Sequence, residues 1–293
     1  MLNTFSNILP PFFLILIGYV FGKIFPFDIK IVSKISLWLL ATTIAFTFIN
    51  DYPPSLANLK DYGIGILIVF FISYLFSRFS KTNREVILTS GTYVNSGYLG
   101  YPILFSLWGE KAMSFGVIYA ALNTIVASLF LPIFIGDKVN FKNIFKLPYI
   151  YVITIAYVLG INGISYKMLP NPIFETIVMI KNSAIPILLL FVGLSLSRIK
   201  FEKSSFKDAF YSTILRLIVI PIFSLIFVYF YKMDSELSKV FVLESSMPTA
   251  VNSVLLIDAL NGNTSLISFT VLTTTLFSII TIPIWAMILD KLF

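Results

Sequence analysis

Long apolar stretches alternate with short polar segments along the whole chain. A bilayer core of about 30 Å requires roughly 20 apolar residues in a helix, and stretches of about this length recur throughout. Residues 1–22 lack a positively charged start and a small-residue cleavage site, so they are predicted to be a retained span rather than a signal peptide. The pattern predicts an all-α membrane protein of ten spans, numbered 1 to 10: 5–22, 31–49, 61–79, 86–108, 113–136, 147–165, 172–197, 207–231, 238–259 and 265–289.

Composition agrees with a chain that mostly faces lipid. Hydrophobic residues make up 58% of the sequence and charged residues 12%, whereas a soluble domain carries roughly 25% charged residues. Cysteine and histidine are both absent, which excludes cysteine and histidine catalysis and metal sites built on those residues. A phosphate-binding loop is also missing, so we expect neither an enzyme nor a bound cofactor. The net charge of +7 is not arranged as a basic stripe interleaved with aromatics, which predicts a lipid bilayer rather than nucleic acid as partner.

Lysine and arginine concentrate on one side of the predicted membrane. They cluster in or beside the loops that follow spans 1, 3, 5 and 7, whereas the opposite loops hold fewer of them. Positively charged loops face the cytoplasm, so both termini are predicted on the outer, periplasmic side of the cell inner (plasma) membrane. The cationic residues are Lys23, Lys30, Lys34, Arg78, Lys81, Arg84, Lys138, Lys142, Lys146, Arg198, Lys200, Lys203 and Lys207.

The ten predicted spans divide into two halves, residues 1–140 and 141–293. Because each half holds an odd number of spans, the second half enters the membrane from the opposite side, which predicts an inverted repeat. Span 4 is interrupted at 95–97 and again at 100–102, and span 9 at 245–249 with Asn252 following. Proline removes a backbone donor and glycine loosens the helix. A lone Pro102 or Pro248 is more often a simple kink, but interruptions at matching positions favour a binding site.

Broken helices at the membrane midplane predict an anion site. The N-terminal ends of half-helices carry unpaired N–H groups and partial positive charge, which suit a carboxylate. We therefore expect the amides of Asn95 and Asn252 to hydrogen-bond a small organic anion, with the neighbouring backbone shaping the site. The predicted substrate-binding residues are Asn95, Gly97, Pro102, Pro248, Thr249 and Asn252.

Charged residues inside spans are costly and require a reason. Glu244, close before Pro248, is either a Na⁺ or H⁺ coupling site or half of a static ion pair with Arg216. Arg216 is either a clamp on the substrate carboxylate or a structural partner. Lys181, in span 7, contacts either the substrate or an interface between domains.

Polar uncharged residues of two further spans are weaker candidates for the site. Asn123 in span 5 and Thr274 in span 10 either line the pocket or bond to neighbouring helices. Amide and hydroxyl groups in spans make such interhelical bonds routinely.

Several short motifs together resemble the auxin efflux carrier family across essentially the whole chain. Residues 95–102, Asn-Ser-Gly-Tyr-Leu-Gly-Tyr-Pro, are similar to its N-x-G-(F/Y)-x-G-x-P signature, and residues 246–251, Ser-Met-Pro-Thr-Ala-Val, to its A-M-P-T-A-V motif. Residues 182–186 with 192–196 resemble its A-x-P…G-x-x-L segment, and 281–285, Thr-Ile-Pro-Ile-Trp, are also family-like.

The resemblance implies a ten-helix fold shared with plant auxin carriers and, more remotely, with bile acid:sodium symporters. It implies a scaffold of spans 1, 2, 6 and 7, and a transport domain of spans 3–5 and 8–10 in which spans 4 and 9 cross. Bacterial members are usually assigned organic anions such as malate or malonate. The residues around Glu244 are similar to a sodium-binding region of the bile acid symporters.

The leading functional hypothesis is a secondary transporter that moves a small organic anion by elevator-like alternating access. A sodium-coupled symporter of the bile acid type is one alternative, and a membrane sensor that binds without transporting is another. The substrate, the direction of flux, the coupling ion and the oligomeric state, a homodimer included, stay open.

Overall fold

The computed structural model describes residues 2–25, 27–80, 83–135, 148–199 and 206–293, and within these ranges every regular element is a helix. The predicted all-α class is therefore confirmed for the described part of the chain. Short π-helical turns at Ser36–Leu40 and Leu215–Val219 lie inside α2 and α8, and one at Ser96–Gly100 leads into α5. The helices are α1 (Leu2–Ile24), α2 (Ile29–Ile35 continuing to Ala41–Asp51), α3 (Leu56–Ser77), α4 (Arg84–Thr92), α5 (Tyr101–Ile135), α6 (Pro148–Ile161), α7 (Asn171–Ser197), α8 (Phe206–Ile214 continuing to Ile220–Tyr231), α9 (Ser235–Ser245), α10 (Ser253–Ala259) and α11 (Thr264–Leu292).

Seven described stretches are long and apolar enough to cross a membrane, from Ser6–Ile24 near the start to Thr264–Leu292 at the end. Predicted span 6 appears as α6, which has 14 residues, and predicted spans 4 and 9 are divided by breaks into shorter pieces. The chain is thus a multi-pass membrane protein, while ten spans in an inverted repeat stay a prediction.

The loop cations are only partly within the described residues. Lys81, Lys138, Lys142, Lys146, Lys200, Lys203 and the side chain of Lys30 lie outside them. Lys23, Arg78, Arg84, Arg198 and Lys207 lie at or next to helix ends, whereas Lys34 lies within α2. These five positions are compatible with loops at the membrane surface.

Gly109 divides α5 into two helices, 101–108 and 110–135. Its φ of 77° and ψ of −161° are non-helical, and a positive φ is readily adopted only by glycine among common residues. This turn lies where predicted span 4 ends and span 5 begins.

Glycines allow α1 and α7 to pack with their backbones in contact. A Cβ at Gly18 would overlap the Leu190 carbonyl oxygen, and one at Gly193 would overlap the Ile15 carbonyl oxygen. Small residues permit this close approach between helices in a membrane. The two helices therefore form a tight pair.

The C-terminal part of α2 pairs with α6 in a similar way. The Asn50 side chain donates to the Ile164 carbonyl oxygen at 2.9 Å and accepts from the Tyr166 N–H at 2.9 Å. Beyond the membrane-spanning part, Lys167 Nζ lies 2.9 Å from Asp51 Oδ1, and this hydrogen bond raises the pKa of the lysine. Polar contacts thus fix the end of α2 to the segment after α6.

Candidate functional site

Two non-helical segments, each of which interrupts a predicted span, are in direct contact with each other. The first break, residues 93–95, follows α4, and the second break, residues 246–252, follows α9. Val94 and Thr249 form an isolated antiparallel bridge. The Asn95 N–H donates to the Pro248 carbonyl oxygen at 2.9 Å, and the Ala250 N–H donates to the Tyr93 carbonyl oxygen at 3.0 Å. Unwound backbone of each break therefore satisfies that of the other, as a membrane interior requires.

The position of the first break differs in part from expectation. The chain is helical again from Ser96 as a π-helical turn, so no interruption exists at 100–102, and Pro102 lies in the first turn of α5. Proline is tolerated inside a membrane helix where a local π-helical turn, such as the one just before Pro102, rearranges the backbone hydrogen bonds. The second break coincides with the predicted 245–249 and extends to Asn252.

Two side chains form hydrogen bonds with buried backbone groups that have no helical partner at the breaks. Asn123 Nδ2 donates to the Thr92 carbonyl oxygen at 2.8 Å, and Asn123 Oδ1 accepts from the Val94 N–H at 3.4 Å. Thr274 Oγ1 accepts from the Thr249 N–H at 3.2 Å. Asn123 lies on the part of α5 beyond Gly109, and Thr274 lies on α11, so each contact comes from the second helical segment after its break. Neither residue lines a described cavity.

Arg216 contacts both helices that precede the breaks. Its Nη1 donates to the Gly91 carbonyl oxygen at 2.7 Å, and its Nη2 donates to the Ser245 carbonyl oxygen. The side chain is fully buried. Both acceptors are at helix C-terminal ends, which carry partial negative charge, so one guanidinium stabilises two helix ends. Arg216 lines neither cavity described below.

Glu244 is buried without a partner. Both carboxylate oxygens lack a hydrogen bond within the described structure, and Glu244 makes no ion pair with Arg216 within 4.0 Å. The static ion pair expected as one alternative is therefore not formed, because the Arg216 terminal nitrogens contact backbone carbonyls instead. A Cβ at Gly100 would lie 2.6 Å from each carboxylate oxygen, so the absence of a side chain there makes room for the carboxylate.

A small cavity of about 90 Å³ lies against the first break. Asn95 is 3% exposed, and its Nδ2 atom is buried with no hydrogen-bond partner. The helix that begins at Ser96 starts at this cavity, so an unpaired amide and a helix N-terminus meet there. Its lining residues are Leu37, Tyr93, Val94, Asn95, Ser96, Gly97, Tyr98, Ala120, Thr124, Tyr149, Ala250, Val251 and Asn252.

A larger cavity of about 380 Å³ shares Val251 and Asn252 with the small one. It extends toward the ends of α2, α7 and α11 for which the charge pattern predicts the cytoplasmic side. Asn252 Nδ2 donates to the Tyr98 hydroxyl at 3.4 Å. The lining residues are Ile29, Ser33, Phe191, Ser195, Arg198, Ile199, Val251, Asn252, Val254, Leu255, Thr264, Ser265, Ser268 and Val271.

The predicted site residues fall into three groups. Asn95, Gly97 and Asn252 line a cavity, whereas Pro248 and Thr249 are buried and contribute backbone or hydroxyl bonds at the crossing. Pro102, Asn123, Thr274, Arg216 and Glu244 are buried behind the cavities.

Lys181 lies apart from both cavities. Its Nζ is 3.3 Å from Glu110 Oε1 and 4.3 Å from the centre of the Phe48 ring, and Glu110 Oε2 accepts from the Tyr52 hydroxyl at 3.2 Å. The lysine therefore connects α7 with α5 and α2. This position fits the expected interface role rather than contact with a substrate at the crossing.

Sequence reasoning did not assign Tyr98, Tyr149, Ser195 or Arg198 to the site. Tyr98 is inside the 95–102 motif, and Ser195 is inside the 192–196 motif, so closer attention to the motif side chains could have found these two. Tyr149 and Arg198 are at helix ends, where sequence alone gives no sign that they border a cavity.

Comparison with known proteins identifies the family. Residues 131–286, more than half of the chain, match a family model described as "Membrane transport protein". The chain belongs to this family, the auxin efflux carrier family. Relatives of the family include an uncharacterized transporter of Methanocaldococcus jannaschii, 26% identical over 94% of this chain and 96% of the relative. Similar transporters are found in Methanothermobacter thermautotrophicus, 23% identical over 98% and 99%, and in Escherichia coli K12, 25% identical over 74% and 73%.

Proposed function

We propose that this family member is a secondary transporter that moves a small organic anion, a carboxylate, across the inner (plasma) membrane by alternating access. The observation that carries the proposal is the contact between the two breaks beside a cavity that contains the unpartnered Asn95 amide. Deep in a membrane, irregular backbone is tolerated where it is buried in protein or lines a wet cavity. A buried donor without a partner is costly, and a carboxylate would supply its acceptor.

The binding step follows from the chemistry around the small cavity. The carboxylate accepts a hydrogen bond from Asn95 and lies at the N-terminus of the helix starting at Ser96, with Gly97 leaving the backbone accessible. Asn252, which borders both cavities, provides the second amide. The larger cavity gives access from the cytoplasmic side, in keeping with both termini on the periplasmic side.

Helix pairing supports an elevator-like movement between two domains. If the helices of the two halves are matched in chain order, α1 with α6 and α2 with α7, the pair α1–α7 corresponds to the pair α6–α2. This correspondence is what an inverted repeat of residues 1–140 and 141–293 would produce. We propose that these four helices are the scaffold, and that the remaining helices carry the two breaks as one transport domain.

Glu244 is the candidate for coupling to a cation. A buried carboxylate without a hydrogen-bond partner is stable only if it is neutralised, and a proton or Na⁺ would do this. The Ser96 hydroxyl interacts with the carboxylate but forms no hydrogen bond of standard geometry with it within the described structure. This observation keeps the sodium-coupled symporter as a second candidate function.

The test is a thermal-shift screen of dicarboxylates and aromatic acids on the purified protein, followed by counterflow of labelled hits in proteoliposomes. Asn95→Ala is expected to lose at least tenfold in affinity, because the amide donor is removed. Asn162→Ala, an exposed asparagine on another loop, serves as the matched control and should behave as wild type.

The outcomes separate the candidate functions. Hits that stabilise Asn95→Ala as well as wild type would contradict the site, and binding without counterflow would instead support a sensor. For a ligand that shows counterflow, uptake that depends on a Na⁺ gradient in the wild type but not in Glu244→Gln would favour the sodium-coupled symporter. Dependence on a pH gradient would favour proton coupling.

A further inference from the structure

The mouth of the larger cavity contains an arginine that the crossing does not use. Arg198 directly follows α7. Its guanidinium lies 4.5 Å from the centre of the Phe27 ring, and its Nη2 donates a long hydrogen bond of 3.5 Å to the Phe25 carbonyl oxygen. A guanidinium has five N–H donors in a fork that fits a carboxylate. Stacking on the ring holds this fork in place at the cavity wall.

Ser195 lies one helical turn deeper on the same wall. Residues three apart on a helix share a face, and both side chains line the cavity. Ser195 is 4% exposed, and its hydroxyl is buried with no hydrogen-bond partner in the described structure. An unpaired buried hydroxyl next to a cationic fork is an incomplete arrangement that an anionic oxygen would complete.

Among the described residues, the remaining wall of the cavity contains no competing charge. Arg198 is the single charged residue among the described residues that line it, and hydroxyl residues such as Ser33, Thr264 and Ser268 provide the other polar groups. At the inner end the cavity reaches Asn252, which also lines the small cavity. A route of polar side chains therefore leads from Arg198 past Ser195 to the crossing.

We propose that Arg198 and Ser195 form a carboxylate-binding subsite at the cytoplasmic mouth, which we call the mouth subsite, and that it binds the anion before it reaches Asn252. This inference rests on the proposed function for its substrate class. The mouth subsite is partly hydrated because Arg198 is exposed. Binding there is consequently weaker than at the buried crossing, which lets the anion leave toward Asn252.

The absence of cysteine from the chain allows a direct measurement of the local charge. In Ser195→Cys, the only thiol can be modified by two methanethiosulfonates, the anionic sulfonatoethyl reagent and the cationic trimethylammonium-ethyl reagent. In each reaction the thiolate sulfur attacks the reagent, a mixed disulfide forms and methanesulfinate leaves. Because the thiolate is the same in both reactions, the ratio of the two rates reports the electrostatic potential at this position.

We expect the anionic reagent to be favoured in Ser195→Cys, and the ratio to fall on the order of tenfold when Arg198→Gln is added, since opposite reagent charges respond oppositely to the arginine. Arg78→Gln removes an exposed arginine of the same predicted side and should leave the ratio unchanged. Malonate and benzoate, used as unlabelled probes, should slow modification only while Arg198 is present.

An unchanged ratio in Arg198→Gln would overturn the proposal, as would an unreactive Ser195→Cys when Ser268→Cys on the facing wall reacts. Should Ser195→Cys fail to fold, Ser268→Cys carries the same comparison with and without Arg198→Gln. The readout needs no transport. If the rate ratio depends on Arg198 but the protein gives no counterflow, the transporter is rejected and the mouth subsite is retained. If counterflow is normal but the rate ratio does not depend on Arg198, the mouth subsite is rejected and the transporter is retained.

Discussion

The two breaks perform the same structural task with different chemistry. The first break has three residues and leads into the helical segment that ends before Gly109, whereas the second break has seven residues and leads into the seven-residue helix α10. Asn123 binds both an N–H and a carbonyl group at the first break, while Thr274 binds one N–H at the second. The shorter break is thus the more completely braced one.

The difference also concerns what the breaks offer to a ligand. At the first break the Asn95 amide is buried and unpartnered, whereas at the second break the Asn252 amide is bonded to the Tyr98 hydroxyl. A rigid break with an unpaired donor is preorganised for binding. The longer, less braced break is where we expect a rearrangement when the cavity closes.

Removing the link that both breaks share should have the largest effect. Arg216→Gln leaves the Gly91 and Ser245 carbonyl oxygens without their cationic donor in a buried site. We expect a loss of about 3 kcal/mol or more in stability, because two hydrogen bonds from a charged donor are lost and each such bond contributes about 1.5–3 kcal/mol. Thermal unfolding in detergent measures it, with Arg78→Gln as the control and Arg216→Lys as an intermediate. A melting temperature equal to that of the control would mean that the breaks do not depend on this residue.

The hydrogen bonds from Asn123 to the first break should make the next largest contribution to stability. Asn123→Ala removes two hydrogen bonds to backbone groups that water cannot reach, so we expect a loss of about 2 kcal/mol. The same thermal measurement applies, with exposed Asn162→Ala as the matched control. If the two alanine variants unfold together, the greater bracing of the first break is wrong.

Alanine substitutions at two glycines after the first break should distinguish an effect on packing from an effect on ligand binding. Gly100→Ala places a Cβ 2.6 Å from each Glu244 oxygen, and such overpacking costs about 1–3 kcal/mol. At Gly97 the nearest atom to a Cβ is the Tyr149 hydroxyl oxygen at 3.6 Å, so Gly97→Ala should fold normally but reduce the small cavity. Thermal unfolding and ligand-induced stabilisation distinguish the two variants. Equal stability of both would show that the Glu244 carboxylate does not depend on space at Gly100.

Sequence patterns predicted most of the helices and both breaks. A membrane helix must be long enough to cross the bilayer, and its backbone N–H and C=O groups must all be hydrogen-bonded. The 245–249 interruption was located correctly, since several poor helix formers occur together there. The interruption at 100–102 was wrong, because glycine and proline that a helix tolerates beside a π-helical turn resemble the same residues within a break. The hydrophobic pattern of the sequence does not show whether a proline lies within a break or in the helix that follows it.

Side-chain partners were less predictable than the helices. The ion pair of Glu244 with Arg216 was a reasonable pairing of two opposite charges away from the ends of adjacent spans. The arginine instead contacts backbone carbonyls that become available only when both breaks are in place. Arg198 was read only as a loop cation. Its position on a cavity wall follows from the packing of α7 against α2 and from the position of α11 on the same cavity, which no local pattern contains.

The smallest expected effect concerns the second break. Thr274→Val removes the hydroxyl that accepts the Thr249 N–H while retaining the shape of the side chain, and one interhelical hydrogen bond in a membrane contributes about 0.6 kcal/mol on average. Exposed Thr154→Val on α6 is the matched control, since its hydroxyl bonds only to its own helix. We expect little change in melting temperature but faster hydrogen exchange at residues 246–252 than in the control. Unchanged exchange there, or a loss of stability as large as in Asn123→Ala, would mean that the two breaks are braced equally and that the second break is not the more mobile one.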